Sequence, residues 1–490
     1  MGTPEYMDHS RAPVLEALQD FRDKDFTPFN PPGHRQGRGV DKRVLDVVGE
    51  AVFASDVIAV NGLDDRRVSK GVLSRAQELM ADAVHADHAF FSTCGSSLSI
   101  KSAMLSVAGP HEKLLVARQS HKSVISGLIL SGVEPVWVRP SWDDQLHLSH
   151  PPSAAEVRRR FAEEPDAKGM LLVTPTDYGT CGDIRAIADV CHDLGKPLIV
   201  DEAWGAHLPF HRDLPSWAMD ADADVCVTSV HKSGVAVEQS SVFHLQGDRV
   251  DPAVLAARED LLGTTSPSSL VYATLDGWRR QMVEEGEALL TAALHLTHQT
   301  RAALAELPGI RVMNEEFIGP DRAVDLDPLK IVIDVSGLGI SGYQSTDWLR
   351  DNERVTLGLS DHRRVVAHLT VADDENTAAI LLRAVTALTK ADLPRPRQVD
   401  LPDPTELELE TAMLPRDAFF ASTEQVDAAD AVGRISAEML TPYPPGAPAV
   451  LPGEVITPEV LDYLRSGLAA GMQLPDPVDA NLDSVRVVAR

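Results

Sequence analysis

Residues 223–234 read ADVCVTSVHKSG, an apolar run that ends on a hydroxyl, an imidazole and an amine. Short runs of β-branched and apolar residues are typical of strands that are covered on both faces. Ligands of open α/β sheets bind just beyond the carboxyl ends of such strands. The pattern therefore predicts a buried strand that delivers Lys232 to a site, where its amine can form a Schiff base. The alternative is an ordinary surface lysine that opens a loop, because lysine is seldom buried.

The length and charge of the chain limit the classes of protein to which it can belong. Its 490 residues exceed what one core usually supports, which predicts a large domain with smaller ones. The composition, 44% hydrophobic and 24% charged, is that of a folded enzyme. The formal net charge of −28 repels nucleic acid and anionic membrane surfaces and attracts cationic small molecules. The predicted partner is thus a small molecule, with no nucleic acid and no membrane.

The cysteines argue against a disulfide framework or a structural metal. Cys94, Cys181, Cys191 and Cys226 show no Cys-x-x-Cys spacing and do not cluster with histidines at zinc-binding intervals. We therefore expect reduced thiols and no metal. Residues 1–25 show no basic, apolar signal pattern, and no later apolar run reaches the length of about 18 residues that a membrane helix needs. These features predict a cytoplasmic protein.

Strand patterns and helix patterns alternate along the first half of the chain. This order predicts an α/β fold with a mostly parallel sheet, covered by helices and joined by right-handed crossovers. A long helical pattern from Leu270 to Leu307 then gives way to shorter elements, and a proline-rich stretch follows from Leu393 to Pro404. The predicted division is an N-terminal arm (1–40), a large domain (41–307), a small α+β domain (308–392), and a linker with a C-terminal domain (393–490).

Four polar positions fall at the predicted carboxyl ends of strands. Ser96 and Ser97 open a helix whose first amides could hold a phosphate, although the same serines could be simple N-caps. His121 follows one strand, and Asp201 ends the strand that precedes the Lys232 strand, although an aspartate there is often a turn or cap residue. Together with Lys232, these positions match what pyridoxal phosphate requires: an amine for its aldehyde, a carboxylate for its pyridine nitrogen, and a helix start for its phosphate.

The chain resembles the bacterial Orn/Lys/Arg decarboxylase family of fold-type I pyridoxal-phosphate enzymes. The resemblance spans nearly the whole chain, and its motifs occur in the family's order. They are PPGHRQG, STCGSSLSIK, RQSHKSV, PTDYGT, DEAWGAH, SVHKSG, TSPS, MLPRDAFF, GRISAEMLTPYPPGAP and LPGE. The flavodoxin-like N-terminal domain of the larger members has no counterpart here, which favours a dimer or a dimer-based tetramer.

The resemblance implies a role for each matching residue. It implies a Schiff base on Lys232, ring-nitrogen pairing by Asp201, stacking by His121, and return of a proton to Cα by His231 or Lys232. Substrate recognition through the distal amine or guanidinium falls to Glu454. The remaining cofactor contacts that it implies are Ser96, Ser97, Ser229 and His231 at the phosphate, and Ala203 and Trp204 beside the ring. It also implies a homodimer whose sites lie at the subunit interface, in which Ser266 and Ser268 reach the cofactor phosphate of the partner subunit.

Three positions depart from the family pattern. Cys94 and Ile100 stand where asparagine is expected, and Gly358 stands where glutamate is usual. The leading hypothesis is decarboxylation of lysine, ornithine or arginine to the corresponding di- or polyamine. The departures keep two alternatives open: a pyridoxal-phosphate aminotransferase or oxidase of a basic amino acid, and a non-catalytic regulatory homologue. The sequence does not rank the three substrates.

Overall fold

The computed structural model describes residues 7–58, 71–402, 408–443 and 446–490. Within these residues the helices are α1 (Pro13–Asp23), α2 (Lys42–Val48), α3 (Glu50–Ser55), α4 (Val72–Ala83), α5 (Ser96–Val107), α6 (Lys122–Ser131), α7 (Ala154–Glu163), α8 (Ile184–Asp193), α9 (Val230–Ser233), α10 (Pro252–Leu262), α11 (Ser269–Ala305), α12 (Gly342–Trp348), α13 (Glu375–Leu388), α14 (Pro415–Phe420) and α15 (Pro458–Ala470). The strands are β1 (His88–Ser92), β2 (Lys113–Ala117), β3 (Glu134–Val138), β4 (Ser141–Asp143), β5 (Leu148–His150), β6 (Met170–Val173), β7 (Thr180–Cys181), β8 (Leu198–Asp201), β9 (Val225–Ser229), β10 (Ser241–Leu245), β11 (Arg311–Met313), β12 (Asp325–Leu326), β13 (Lys330–Asp334), β14 (Leu359–Ser360), β15 (Arg364–His368), β16 (Thr423–Asp427) and β17 (Ser484–Val488).

The chain divides into two compact units. The first consists of Met1–Ser106 and Ile199–Leu290, and the second of Val107–Leu198 and Thr291–Arg490. The four-part domain division expected from the sequence stays a prediction. Among the residues described above, no helix combines the length and the hydrophobicity that a bilayer crossing requires.

The first unit contains the strand predicted from the apolar run, which is β9. All five of its residues are buried, as a strand covered on both faces requires. β9 runs parallel to β8, and β10 lies antiparallel to both β9 and β1. The sequence predicted a mostly parallel sheet without this antiparallel edge. The reason is the connection of residues 230–240, which is too short for the crossover that parallel strands need.

The second unit contains parallel strands and a smaller antiparallel sheet. β2 lies between β6 and β3 and is parallel to both. The small sheet has the order β11-β13-β15-β14, and α13 contributes Leu381, Ala384, Val385 and Leu388 to its core. Residues near the C-terminus form a further core around α15 and the β16–β17 pair. The assignment of these elements to separate α+β and C-terminal domains stays a prediction.

Candidate active site

Lys232 lies one turn beyond the end of β9, in the short helix α9. Its Nζ is 4.5 Å from the centroid of the Trp204 ring, within range of a cation–π contact. Ser233 Oγ donates a hydrogen bond to the Trp204 carbonyl oxygen (2.7 Å), which ties the turn to the same segment. A Cβ at Gly234 would come within 2.8 Å of the Trp278 ring, so glycine is the residue that fits there. These contacts anchor the turn that carries Lys232 and leave its amine over the Trp204 ring.

Asp201 ends β8, the strand next to β9. The two strands are parallel with Asp201 opposite Val227, and the carboxyl ends of parallel strands lie at one edge of the sheet. Asp201 is 5% exposed, and its Oδ1 accepts a hydrogen bond from the Ala203 amide (3.3 Å). The Ala203 carbonyl oxygen in turn accepts one from the Ser229 amide (3.3 Å). The structure thus places a buried carboxylate and an amine beyond the ends of neighbouring strands.

The serine-rich turn lies at the start of α5. Ser229 Oγ, at the end of β9, donates to Ser96 Oγ across 2.6 Å, and Ser97 is exposed. Gly95 adopts φ +73°, a left-handed conformation that glycine takes without strain. The amide of Gly95 bonds the carbonyl oxygen of Gln239 (2.9 Å), which anchors the turn to the loop before β10. Two hydroxyls at the positive end of a helix suit a phosphate.

The hydrogen bonds of His231 determine its neutral tautomer. His231 Nδ1 is 3.0 Å from the carbonyl oxygen of Ser240. A carbonyl oxygen only accepts, so Nδ1 carries the proton and Nε2 presents its lone pair in the neutral ring. Such a nitrogen can accept a proton or a hydrogen bond from a phosphate hydroxyl.

Ser266 and Ser268 lie between α10 and α11 in the first unit. Ser266 is exposed, and its amide and hydroxyl both bond the Thr264 hydroxyl (3.2 and 3.3 Å). The Ser268 carbonyl oxygen accepts from the Tyr272 amide (3.3 Å), at the start of α11. Their contact with the phosphate of a partner subunit stays a prediction.

His121 belongs to the second unit, where it is the N-cap residue of α6. Its Nδ1 accepts from the amide of Ser123 (3.2 Å) and lies 2.9 Å from the Ser123 hydroxyl. Because Nδ1 accepts, the neutral ring carries its proton on Nε2. The cap orients the imidazole through the backbone, and its stacking on a cofactor ring stays a prediction.

Glu454, the predicted substrate carboxylate, is also in the second unit and is 2% exposed. Arg118 Nη2 is 3.3 Å from each of its oxygens, and the Leu451 amide donates to Oε2 across 2.9 Å. Both oxygens therefore already have partners inside the chain. Recognition of substrate by this residue stays a prediction.

The three departures from the family pattern occupy different environments. Ile100 is fully buried in α5 and serves the core, whereas Cys94 is half-buried beside Gly95. At Gly358 the nearest described atom to an added Cβ is the Val366 carbonyl oxygen at 4.0 Å, so a side chain would fit there. The departure at residue 358 is thus a difference in chemistry and not a steric requirement for glycine.

Sequence reasoning missed the buried carboxyl of Glu202, next to Asp201. Glu202 Oε2 accepts from the Ala218 amide (3.2 Å) and from Cys226 Sγ (3.3 Å), and the residue is 0% exposed. Burial raises the pKa of Glu202 well above its ordinary value, which favours the protonated carboxyl. The sequence does show a second acid at the end of an apolar strand. It does not show that this acid has a raised pKa, because the pKa depends on the packing around the carboxyl.

The stability of a Glu202→Gln variant relative to the wild type is expected to increase as pH rises. The folded-state pKa lies above the ordinary value of 4.5, so above pH 4.5 the native carboxyl keeps a proton that the unfolded chain releases. The advantage of the glutamine variant in free energy of unfolding should grow by up to about 1.4 kcal/mol per pH unit. Urea unfolding at pH 5, 6.5 and 8 measures it. The exposed Glu285→Gln variant is the control, and a pH-independent difference for Glu202→Gln would contradict a raised pKa of Glu202.

Comparisons with known proteins identify the family to which the chain is similar. Residues 12–377 match the family described as Orn/Lys/Arg decarboxylase, major domain, and residues 404–476 match the C-terminal domain of the same family. An arginine decarboxylase of Bacillus subtilis (strain 168) is 36% identical, covering 98% of this chain and 99% of that protein. An arginine decarboxylase of Bacillus anthracis is 37% identical, covering 97% of each. The solved structure of the Escherichia coli constitutive lysine decarboxylase superimposes with a TM-score of 0.82 at 21% identity, covering 99% of this chain and 83% of that one.

Proposed function

The chain belongs to the Orn/Lys/Arg decarboxylase family and is a decarboxylase of a basic amino acid, and we propose that its substrate is arginine and its cofactor pyridoxal phosphate. Two arginine decarboxylases match nearly its full length, which supports arginine. The observation that carries the cofactor assignment is Lys232 Nζ over the Trp204 ring, beyond the strand next to Asp201.

The donor set of the first unit fits the chemical groups of the cofactor. Lys232 offers the amine for the aldehyde, and the buried Asp201 carboxylate holds a proton at the pyridine nitrogen. Ser96 and Ser229 present hydroxyls to the phosphate at the start of α5, with Ser97 and His231 as further contacts. Ala203 and Trp204 pack beside the ring. His121 belongs to the second unit, and its proposed role is to stack on the ring.

Pyridoxal phosphate, when bound, supplies a ring that accepts the electrons left at Cα as carbon dioxide departs. The residues of the chain then have three tasks. They hold the scissile bond perpendicular to the ring, exclude water from the site, and return one proton to Cα. Lys232 Nζ provides that proton, or His231 Nε2 does so after the imidazole has taken up a second proton. The distal guanidinium of the substrate needs acceptors, because an unpaired buried cation is costly.

A substrate panel tests this proposal. Purified holoenzyme is incubated with arginine, ornithine and lysine, and both carbon dioxide and the amine product are measured. We expect agmatine from arginine, with kcat/KM at least about 100-fold above that for lysine, because a site built for guanidinium hydrogen bonds rejects a substrate that leaves them unmade. Keto acid or peroxide without carbon dioxide would indicate transamination or oxidation. Absence of both a visible cofactor band and turnover would indicate a regulatory homologue.

We further propose a homodimer in the cytoplasm, with Ser266 and Ser268 reaching the partner's cofactor phosphate. Phe29 and Val47 are 89% and 86% exposed, and a second copy would cover such apolar surface. The four cysteines are free thiols, as is usual in reducing compartments. Sedimentation velocity that finds a monomer at micromolar concentration would rule out the dimer.

A further inference from the structure

The C-terminal segment 446–454 contacts the end of β2 through Arg118. Arg118 Nη1 donates to the Pro448 carbonyl oxygen (2.8 Å), and Nη2 donates to that of Ala449 (3.3 Å) and to Glu454 (3.3 Å). The guanidinium also lies 5.3 Å from the centroid of the Trp137 ring. All of these groups are in the second unit. One arginine therefore ties the segment to the strand that leads to His121.

A second set of contacts lies immediately after His121. The Lys122 amide donates to the Gly446 carbonyl oxygen (3.1 Å), and Lys122 Nζ pairs with Asp476 (2.7 Å). Gly446 has φ +87°, and a Cβ there would come within 3.1 Å of His121 Cδ2 and of Tyr443. The backbone of Gly446 thus packs against the edge of the imidazole, while Ser123 holds the Nδ1 edge. The ring is confined on two edges.

The charges of this region argue against substrate binding by Glu454. Its carboxylate is buried and meets a guanidinium that belongs to Arg118. The guanidinium of an arginine substrate would have to displace that group. Breaking a buried ion pair is costly because one charge is left without its partner. The pair is thus better suited to holding the segment than to recognising a ligand.

We propose that segment 446–454 is a clamp that sets the orientation of the His121 imidazole, with Gly446 and Glu454 as positioning residues. The proposal rests on the proposed function, in which His121 lies against the cofactor ring. Gly446 acts through direct contact with the imidazole, and Glu454 acts through Arg118. Neither residue needs to touch the substrate or the cofactor.

Two glycine variants test the direct contact. Gly446→Ala is expected to lower kcat about 10-fold, to leave KM for arginine within about 2-fold, and to weaken cofactor binding and shift its visible absorbance. Gly433→Ala is the matched control, because Gly433 has a similar φ of +76° but no described atom within 4 Å of an added Cβ. Cofactor affinity is measured by titration of the apoenzyme, which does not depend on turnover. Equal behaviour of the two variants would overturn the proposal.

Two further measurements separate positioning from the competing roles. Glu454→Gln is expected to reproduce the kcat loss and the spectral shift, whereas a substrate-binding role would raise KM with an unchanged spectrum. In a His121→Ala background, Gly446→Ala should cause little further loss, because its effect passes through the imidazole; additive losses would contradict this. Circular dichroism checks that each variant folds. If Glu454→Gln does not fold, the comparison of Gly446→Ala with Gly433→Ala tests the proposal by itself. Failure of the proposed function would instead appear in the wild type, as no carbon dioxide from any basic amino acid.

Discussion

Replacing Lys232 with alanine is expected to abolish the visible cofactor band and to reduce arginine decarboxylation by at least about 1000-fold. The reason is the position of its Nζ, over the Trp204 ring and beyond the end of β9. Alanine removes the amine that holds the aldehyde and that can return the proton to Cα. Release of carbon dioxide from carboxyl-labelled arginine and absorbance spectra of the purified protein measure the two effects.

The Lys232→Arg variant distinguishes the amine from its charge. A guanidinium can keep the cation–π contact with Trp204, but it stays protonated and cannot act as the nucleophile. We therefore expect it to be as inactive as the alanine variant. Lys168 is exposed and paired with Glu112 (3.1 Å), so Lys168→Ala should keep full activity. A retained band or turnover in Lys232→Ala would refute the assignment.

Replacing Asp201 with asparagine is expected to lower kcat about 100-fold. The amide preserves the shape of the side chain and can still accept from Ala203, but it has no charge to hold a proton at the pyridine nitrogen. The loss should appear mainly in kcat, since cofactor contacts at the phosphate remain. Steady-state kinetics with arginine and a pH series of visible spectra provide the measurement.

Glu202→Gln is the matched control for Asp201→Asn. Both changes convert a buried carboxyl to an amide at adjacent positions, but burial raises the pKa of Glu202 and so favours its uncharged form. We expect Glu202→Gln to keep kcat within about 3-fold. An equal loss in both variants would mean that packing, and not the charge of Asp201, explains the effect.

Much of the fold could be predicted because local patterns report burial directly. The uninterrupted apolar run of β9 and the long helix α11 both appear as expected. The confirmed family resemblance followed from motifs in their order along the chain. The antiparallel edge formed by β10 and β1 could not be predicted in this way, because strand direction depends on the connection and on the strand that pairs.

The candidate site shows the same division. The residue types alone indicate the chemistry of Lys232, Asp201 and the serine turn, because an amine, a carboxylate and hydroxyls at strand ends have few joint uses. The sequence does not pair Glu454 with Arg118, and it does not show that Glu202 is buried beside Cys226. Those properties arise from contacts between residues far apart in the chain.

The sequence by itself therefore determined the family, the buried strand and the chemical groups offered to a cofactor, since each depends on residue type and local spacing. The tertiary structure alone decided which charged side chains are paired and which acidic side chains are buried with a raised pKa. It paired the carboxylate of Glu454 with Arg118, raised the pKa of Glu202 through burial, and placed Gly446 against His121. The physical reason is that solvation and pairing of a charge depend on the atoms packed around it, which come from distant parts of the chain.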